Sequence, residues 1–329
     1  MEKKKLTTKK VKTKDESKTV TIKKKETVTP SSEEKKETDS LTLGLSLPIL
    51  KNKETVQKLL EAGMHFGHKV SRRHPKMAPF IFTEKGGFHI IDVVKTIDML
   101  NSACNFLVNA ASKGYIIIVS TKKQAYDGVI SAAKRCGAYY VVNRWPGGLF
   151  TNLSVLRKSI EKLDVVEKQL LEGVWNRTKK ELLLMKRELQ RLYRLYSGLR
   201  GIKSFPTAVV LIDPKREHVV VREAKKLKIP IVALVDTNCD PSLIDYPVPG
   251  NDDAVKSIRL FLDTIANAIL IGNKGKGVIH KEIDLQQIDI AIETMAEKMR
   301  KKKEESIGVK KAKVIKVGGR KVKIIKKSE

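Results

Sequence analysis

Cysteine is scarce in this sequence. The chain of 329 residues contains three cysteines, Cys104, Cys136 and Cys239, and none of them forms a Cys-x-x-Cys pair with another. An odd number of widely spaced cysteines supports neither a disulfide framework nor a zinc ribbon, because both need cysteines in paired spacings. We therefore expect all three to be reduced and to serve as small core residues.

Long hydrophobic runs are also missing. The run Leu41–Leu50 (LTLGLSLPIL) has ten residues and is interrupted by Gly44 and Pro48, whereas a helix that spans a bilayer needs about 20 apolar residues. The lysines near the amino terminus are followed by threonine and more lysine instead of the apolar stretch of a signal peptide. These observations argue against a transmembrane protein and predict a cytoplasmic location.

Acidic residues are few relative to basic ones. The chain has 37 Asp and Glu against 66 Lys and Arg, which leaves a net charge of +29 at pH 7 and an isoelectric point of about 9.9. This excess predicts a polyanionic partner, because each cation placed on a phosphate releases condensed counterions. By charge alone, both nucleic acid and an anionic membrane surface fit.

The charge is unevenly distributed along the chain. Residues 1–53 hold 15 Lys, no Arg and 8 acids, and residues 274–329 hold 17 basic and 8 acidic residues. Residues 54–273 contain the aromatic residues and most of the long apolar runs, so they have enough apolar surface to build a core. We predict a folded body between a basic, disordered N-terminal extension, 1–53, and a basic C-terminal extension, 274–329.

Short apolar strands alternate with helices in the body. Candidate strands lie at 116–119, 139–142, 208–212 and 231–235, with helical periodicity between them. This alternation predicts an α/β domain, residues 54–154 and 200–273, whose parallel sheet is covered by helices on both faces. In Phe80–Val94, two apolar runs around Gly86-Gly87 predict a β-hairpin ahead of the first of these strands.

Residues 155–199 have a different periodicity. The apolar residues of their second half recur at steps of three and four, which is the heptad spacing of a coiled coil. They are Leu182, Met185, Leu189, Leu192, Tyr196 and Leu199. A similar seam through Leu156, Ile160, Leu163, Leu170 and Val174 is interrupted at Glu167, and Thr178 with Glu181 has the spacing of a helix capping box. We predict an inserted antiparallel helical hairpin, with two ordinary core helices as the alternative.

The C-terminal extension contains two weaker patterns. Leu285, Ile288, Ile292, Met295 and Met299 have the spacing of an amphipathic helix. Residues 313–327 alternate apolar and basic residues around a pair of glycines, which fits either a small hairpin or a disordered tail; in isolation we favour the disordered tail.

The loops after the predicted strands lack the common catalytic motifs. None reads G-x-G-x-x-G or G-x-x-x-x-G-K-[ST], so neither a dinucleotide site nor a P-loop is expected. Asp213 and Asp236 follow two of the strands and could serve as a general base or a metal ligand. An aspartate in this position is more often a helix cap or a turn former. We expect no catalysis and no cofactor.

The segment His65–Lys76 (HFGHKVSRRHPK), here called the basic strip, contains no acid. A merely solvated basic face usually has acids interspersed, so the strip predicts contacts with phosphates, for which arginine has a matching planar fork. Phe66 either packs inward or stacks on a base. The candidate nucleic-acid contacts of the strip are His65, His68, Lys69, Arg72, Arg73, His74 and Lys76.

A metal is a weaker interpretation of the same histidines. His65 and His68 are three residues apart, but a zinc site needs three or four ligands and supporting hydrogen bonds. Gly67 between them suits a turn better than a helical ligand face. We therefore predict no metal site.

Two loops at the carboxyl edge of the predicted sheet add further candidates. Lys122 and Lys123 follow the first strand, and Arg144 and Trp145 follow the second. The lysines and Arg144 are predicted to contact nucleic acid. We expect Trp145 to pack inside the turn made by Pro146-Gly147-Gly148 and not to stack on a base.

Three longer runs show a family resemblance. They are Leu59–Phe82 (LLEAGMHFGHKVSRRHPKMAPFIF), Asn143–Leu153 (NRWPGGLFTNL) and Pro206–Pro241 (PTAVVLIDPKREHVVVREAKKLKIPIVALVDTNCDP). In this order, with a heptad-bearing hairpin between the second and third, they closely resemble the S-two family of bacterial small-subunit ribosomal proteins over about residues 54–272.

The resemblance implies a Rossmann-like parallel sheet with flanking helices, a protruding coiled-coil hairpin and no catalysis. It also implies attachment to small-subunit rRNA, contact with neighbouring ribosomal proteins, and a role in docking the S-one protein that helps to recruit messenger RNA. Residues that match the family motifs are His65, Phe66, Gly67 and His68, then Arg72, Arg73, Pro75 and Lys76, and finally Arg144, Trp145, Gly147, Gly148, Thr151 and Asn152. These segments are expected to meet rRNA or to hold the root of the hairpin, which adds Asn152 to the candidate contacts.

Two other functions remain open at this point. An enzyme or sugar-phosphate sensor could use the same α/β fold, because function depends on sites and not on the fold. An adaptor could use the helical hairpin to hold proteins without any RNA. A structural rRNA-binding protein is the interpretation that the basic strip favours.

Overall fold

A five-stranded parallel sheet forms the centre of the described chain. The computed structural model describes residues 53–300, 316–317 and 320–321, except 173–177, 275–276, 281–282, 284–285 and 298–299. The predicted N-terminal extension therefore lies outside the described residues, apart from Lys53.

The helices are α1 Lys53–Glu61, α2 Val93–Lys113, α3 Tyr126–Cys136, α4 Leu153–Glu172, α5 Lys179–Tyr196, α6 His218–Lys226, α7 Val255–Asn273 and α8, residues 286–297. The strands are β1 Phe66–Lys69, β2 Ile81–Lys85, β3 Phe88–Ile91, β4 Ile116–Val119, β5 Tyr139–Val141, β6 Ala208–Ile212, β7 Ile231–Val235, β8 Tyr246–Pro249, β9 Lys316–Val317 and β10 Arg320–Lys321.

The parallel sheet has the strand order β5-β4-β6-β7-β8. Counted along the chain this order is 2-1-3-4-5, a doubly wound topology whose switch point lies between β4 and β6. The predicted α/β class is confirmed. Strand β8 is not predicted from the sequence, because Pro247 and Pro249 argue against a strand. An edge strand tolerates these prolines because its outer side needs no ladder hydrogen bonds.

Side chains of the sheet point alternately into two cores. Ile116 and Ile118 lie in a first core, which contains residues of α2, α3 and α7. Ile117 and Val119 lie in a second core, which contains residues of α4, α5, α6 and α8. Helices therefore cover both faces of the sheet, as a fully apolar parallel strand requires.

The inserted helices α4 and α5 bury the predicted seam. All six predicted apolar positions from Leu182 to Leu199 are buried. The capping box is also confirmed, since the Glu181 amide donates to Thr178 Oγ1 at 3.4 Å and the Thr178 amide donates to Glu181 Oε2 at 2.8 Å. Glu167, which interrupts the seam of α4, is buried and forms an ion pair with Arg200, which follows α5 in the chain. Val174 lies outside the described residues.

The chain beyond α7 packs on the body. The Val278 amide donates to the Gly137 carbonyl at 2.8 Å, and a Cβ atom on Gly137 would lie 2.3 Å from Gly277 Cα. The predicted amphipathic helix is present as α8, whose Ile288 and Ile292 are buried in the second core. Leu285 and Met299 of that prediction lie outside the described residues.

Two smaller findings complete the fold. Strands β9 and β10 pair antiparallel, which matches the hairpin alternative for residues 313–327 at the four positions described there. Within the described part of the chain, no helix is both long enough and apolar enough to cross a bilayer.

The packing of α8 can be tested with two isoleucines of the same helix. Ile288 is fully buried, whereas Ile290 is 63% exposed. We expect Ile288→Ala to lower the free energy of unfolding by about 2–5 kcal/mol, because it leaves a cavity. Ile290→Ala should change it by less than about 0.5 kcal/mol. Urea unfolding of the full chain measures both values, and equal effects would contradict the burial of Ile288.

Candidate nucleic-acid interface

The basic strip borders a small antiparallel sheet of order β1-β3-β2. The predicted hairpin around Gly86-Gly87 is confirmed as β2 and β3, and both glycines have positive φ, 60° and 78°. Strand β1, the first part of the strip, adds to this hairpin, and two short 3₁₀ turns, Val70–Arg72 and Pro75–Phe80, carry the rest.

Thr237, in the loop after β7, anchors the strip at two points. Its hydroxyl oxygen accepts the His68 amide at 2.9 Å, and its carbonyl oxygen accepts the His74 amide at 2.8 Å. A Cβ atom on Gly67 would lie 2.7 Å from Thr237 Cγ2, so only glycine allows this close approach. The turn that carries Arg72 and Arg73 is therefore held at both ends.

The seven candidates of the strip differ in exposure. Lys69, Arg72, Arg73 and Lys76 are exposed, whereas His65, His68 and His74 are half-buried. Among the residues that the structure describes, none forms an ion pair with Lys69, Arg72 or Arg73. These three cations are free to meet phosphates.

Acids from distant parts of the chain reach the other members of the strip. His68 Nδ1 lies 3.0 Å from Asp236 Oδ2, and Lys76 Nζ lies 2.9 Å from Asp240 Oδ2. His74 lies 4.0 Å from the same Asp240 carboxylate. Hydrogen bonds from Ser242 and Lys76 lower the pKa of Asp240 to about 2, so this carboxylate is ionised. The basic strip contains no acid in the sequence, but in the folded chain Asp236 and Asp240 compensate part of its positive charge.

Lys122 does not face solvent, contrary to its prediction as an RNA contact. Its side chain is buried, and Nζ lies 2.7 Å from Asp252, 2.8 Å from Asp253 and 3.2 Å from Asp213. Burial alone would lower the pKa of Lys122, but these carboxylates raise it above its ordinary value. The ammonium group of Lys122 is therefore engaged in ion pairs inside the protein and is not available to RNA. The neighbouring Lys123 is exposed.

The aspartates around Lys122 lie at the carboxyl edge of the sheet. Burial and the nearby Asp236 and Asp213 carboxylates raise the pKa of Asp252 to about 7. Asp213 accepts the Arg216 amide at 3.1 Å and has φ of 60°, and Asp236 pairs with His68. Asp213 and Asp236 thus have turn-forming and ion-pair roles, which favours the structural interpretation over the catalytic one.

One group in the described residues has the spacing of metal ligands. His68, Asp252 and Asp253 each offer a ligand atom, and these atoms lie within 4.8 Å of one another. His65, which the sequence pairs with His68, is not a member. Nitrogen and carboxylate oxygen ligands of this kind suit zinc or another divalent transition metal. No local sequence pattern indicates this group, because His68 lies far from Asp252 and Asp253 in the chain.

Glu223 of α6 organises the second loop of the interface. Its carboxylate accepts Trp145 Nε1–H at 3.1 Å, the Gly148 amide at 2.7 Å and the Phe150 amide at 3.0 Å. Trp145 is buried, as predicted, while Arg144 and Asn152 are exposed at this loop. The sequence gives no local signal for Glu223, which lies in a segment of mixed charge.

The outer face of the small sheet is partly aromatic. Phe66 lies opposite Ile90, and Lys69 lies opposite Phe88, which also faces Lys85. Phe66 is 50% exposed and Phe88 is 43% exposed. Phe66 therefore does not pack fully inward, and this face, here called the aromatic face, offers apolar surface between lysines.

Lys122 and Lys123 form a matched pair for testing the buried cluster. Lys122→Ala leaves the carboxylates of Asp213 and Asp252 buried without their cation, and we expect the free energy of unfolding to fall by about 3–5 kcal/mol. Lys123→Ala should change it by less than about 0.5 kcal/mol, because Lys123 is exposed. Chemical denaturation measures both, and a Lys122→Ala variant as stable as Lys123→Ala would refute the structural role.

Comparison with known proteins agrees with this arrangement. Residues 59–272 match the family model described as "Ribosomal protein S2". A protein called "Small ribosomal subunit protein uS2" from Geotalea uraniireducens (strain Rf4) is 46% identical over 226 residues, which cover 68% of this chain and 88% of the relative. Proteins of the same name from Dictyoglomus thermophilum and Dictyoglomus turgidum are 47% and 46% identical over 236 residues, 71% of this chain and 95% of each relative. The chain belongs to the ribosomal protein S2 family.

Proposed function

We propose that this chain is a structural component of the small ribosomal subunit and binds small-subunit rRNA mainly through phosphate contacts. Membership of a family of small-subunit ribosomal proteins supports the first part of the proposal. The exposed cations Lys69, Arg72 and Arg73 support the second part. Its place of action is then the ribosome in the cytoplasm.

The observation that supports the RNA proposal most directly concerns two neighbouring arginines. They lie on a turn that is fixed at both ends, and neither forms an ion pair with a described residue. Arg72 and Arg73 lie on a turn whose two ends are fixed to Thr237, so little conformational entropy of the backbone is lost on binding. Their guanidinium groups have no carboxylate partner among the described residues and match phosphate oxygens in geometry. Arg144, Lys123 and Asn152 offer further polar surface at two neighbouring sheet-edge loops.

Binding through phosphate contacts depends little on the base sequence of the RNA. Contacts to phosphates position a protein on RNA, whereas base edges supply specificity. Folded rRNA is recognised largely by shape and backbone. We therefore expect rRNA affinity to fall steeply with salt concentration.

The enzymatic alternative has less support. Asp213 and Asp236, its two candidates, are engaged in internal bonds. Calorimetric titration of the full chain with nucleotides and sugar phosphates tests it, and saturable stoichiometric binding would favour it. Free migration of the chain, apart from ribosomal particles on a sucrose gradient of lysate at low salt, would instead favour an adaptor.

Docking of the S-one protein, where that protein is present, is a second proposed role. The aromatic face supports it, because exposed apolar side chains grouped on one surface commonly mark a protein interface. Phe66 and Phe88 each bury additional apolar area if a partner covers them.

The arginine contacts predict a change in the salt dependence of rRNA binding. Arg72→Ala combined with Arg73→Ala should reduce the slope of log affinity against log salt by about 1.5 units, at ~0.7–0.9 per phosphate contact. Filter binding to a small-subunit rRNA transcript at several salt concentrations measures the slope. The control is Lys113→Ala with Lys256→Ala, two exposed lysines on α2 and α7; an equal change in both variants, or no change, would reject the contacts.

The docking role predicts that loss of the aromatic face weakens binding of the S-one protein without changing the salt dependence of rRNA binding. Phe66→Ser with Phe88→Ser should weaken binding of purified S-one protein by at least about tenfold, because each buried phenylalanine contributes about 1.5–3 kcal/mol. The salt slope for rRNA should not change. Phe205→Ser, at a phenylalanine that is 52% exposed elsewhere on the body, is the control, and equal affinities in all variants would exclude the aromatic face as the docking site.

A further inference from the structure

The segment 213–228 (DPKREHVVVREAKKLK) has the composition of an ordinary solvated surface. It contains six Lys and Arg, one His and three acids. Interspersed charges of this kind do not predict a phosphate-binding surface. The segment lies inside the family-like run Pro206–Pro241, but none of its cations is among the nucleic-acid contacts predicted from the sequence. The structure separates the two signs of charge.

All three acids of this segment are turned inward and bonded. Asp213 pairs with Lys122 at 3.2 Å, and the Glu217 carboxylate accepts the Thr121 amide at 2.9 Å. Glu223 accepts three N–H groups of the loop that contains Trp145. Asp213 and Glu217 are buried, at 8% and 4% exposure. None of these carboxylates is available to neutralise the outer surface.

The cations of the segment point outward. On α6, the side chains of Val220, Val221 and Ala224 face the second core. The side chains on the opposite side of the helix therefore face solvent. Arg222, Lys225 and Lys226 are exposed there, as are Lys215 and Lys228 next to the helix. Five unpaired cations thus lie on one side of a short segment, as judged from the described residues.

A groove connects this helix to the basic strip. It has a volume of about 480 Å³. Its basic lining residues are His74, Lys215, His218, Arg222 and Lys225, and its apolar lining residues are Pro214, Val221, Cys239 and Leu243. His74 belongs to the basic strip, and its amide is bound to Thr237. The acid of the groove, Asp240, is bound by Lys76 and Ser242. Its charge is therefore compensated within the protein.

We propose that the outer face of α6 and this groove form a second phosphate-binding surface, which continues the basic strip and holds the sugar-phosphate backbone of RNA. The inference rests on the proposed rRNA binding and extends it to residues that the sequence does not indicate. An RNA backbone fits better than an acidic protein, because the cores of protein interfaces are depleted in lysine and this face is mainly lysine and arginine. The groove also reaches the strip at His74, which follows Arg73 in the chain, so one RNA segment can contact both surfaces.

The test neutralises the outer face of α6 without touching the strip. The variant is Arg222→Gln, Lys225→Gln and Lys226→Gln in the full chain, and the probe is a small-subunit rRNA transcript. The slope of log affinity against log salt should become shallower by about two units, at ~0.7–0.9 per phosphate contact. The matched control, Lys113→Gln, Lys256→Gln and Arg259→Gln, removes the same charge from α2 and α7, which pack on the other face of the sheet.

A charge-preserving variant separates lost contacts from damaged folding. Arg222→Lys, Lys225→Arg and Lys226→Arg should keep the wild-type slope, and the thermal melts of all variants should coincide. If the slope of the Gln variant equals that of wild type, or if the control changes as much, the second surface is refuted while rRNA binding stands. An unchanged slope is also the result expected if α6 meets an acidic protein. If wild type itself shows no salt-dependent affinity for the transcript, the proposed function fails first and the inference fails with it.

Discussion

The carboxyl edge of the parallel sheet concentrates four aspartates, Asp213, Asp236, Asp252 and Asp253, around the buried ammonium of Lys122 and the half-buried ring of His68. Three of them, Asp213, Asp236 and Asp252, are buried, and buried carboxylates placed together are costly unless cations compensate them. The cluster joins the loops after β4, β6 and β7 to the start of α7. The loop after β7 in turn holds the basic strip through Thr237, so the geometry of the proposed RNA-binding surface depends on this charge compensation.

Internal pairing also decides which charges remain for a partner. Of the basic residues that the sequence marks, Lys122 and Lys76 form ion pairs with aspartates, and the ring of His68 lies 3.0 Å from the Asp236 carboxylate. At α6 the acids are the residues that are bound internally. Glu217 and Glu223 accept hydrogen bonds from the body, and the lysines and arginines of the segment remain exposed. The basic surface available to a partner therefore consists of the cations that the buried acids have not bound.

The second core brings together parts of the chain that have separate sequence patterns. The seam of α5, the buried faces of α6 and α8, and alternate residues of the sheet all contribute to it. Helix α8 lies beyond the residues that match the family model, yet Ile288 is fully buried. The helical hairpin is therefore stabilised by residues that it shares with the second core, by the ion pair Arg200–Glu167, and by the ion pair of Lys186 in α5 with Asp289 in α8.

Periodicity in the sequence alone determined the four central strands, the heptad seam of α5 with its capping box, and the amphipathic character of α8. These features are local, because strand and helix periods depend on neighbours within a few residues. The edge strand β8 was not predicted, because its two prolines are unusual in a strand. Only the tertiary structure decided which charges face a partner, since Lys122 meets Asp252 across 130 residues and Glu223 meets Trp145 across 78. Coulomb pairing depends on distance in space, and no local pattern records that distance.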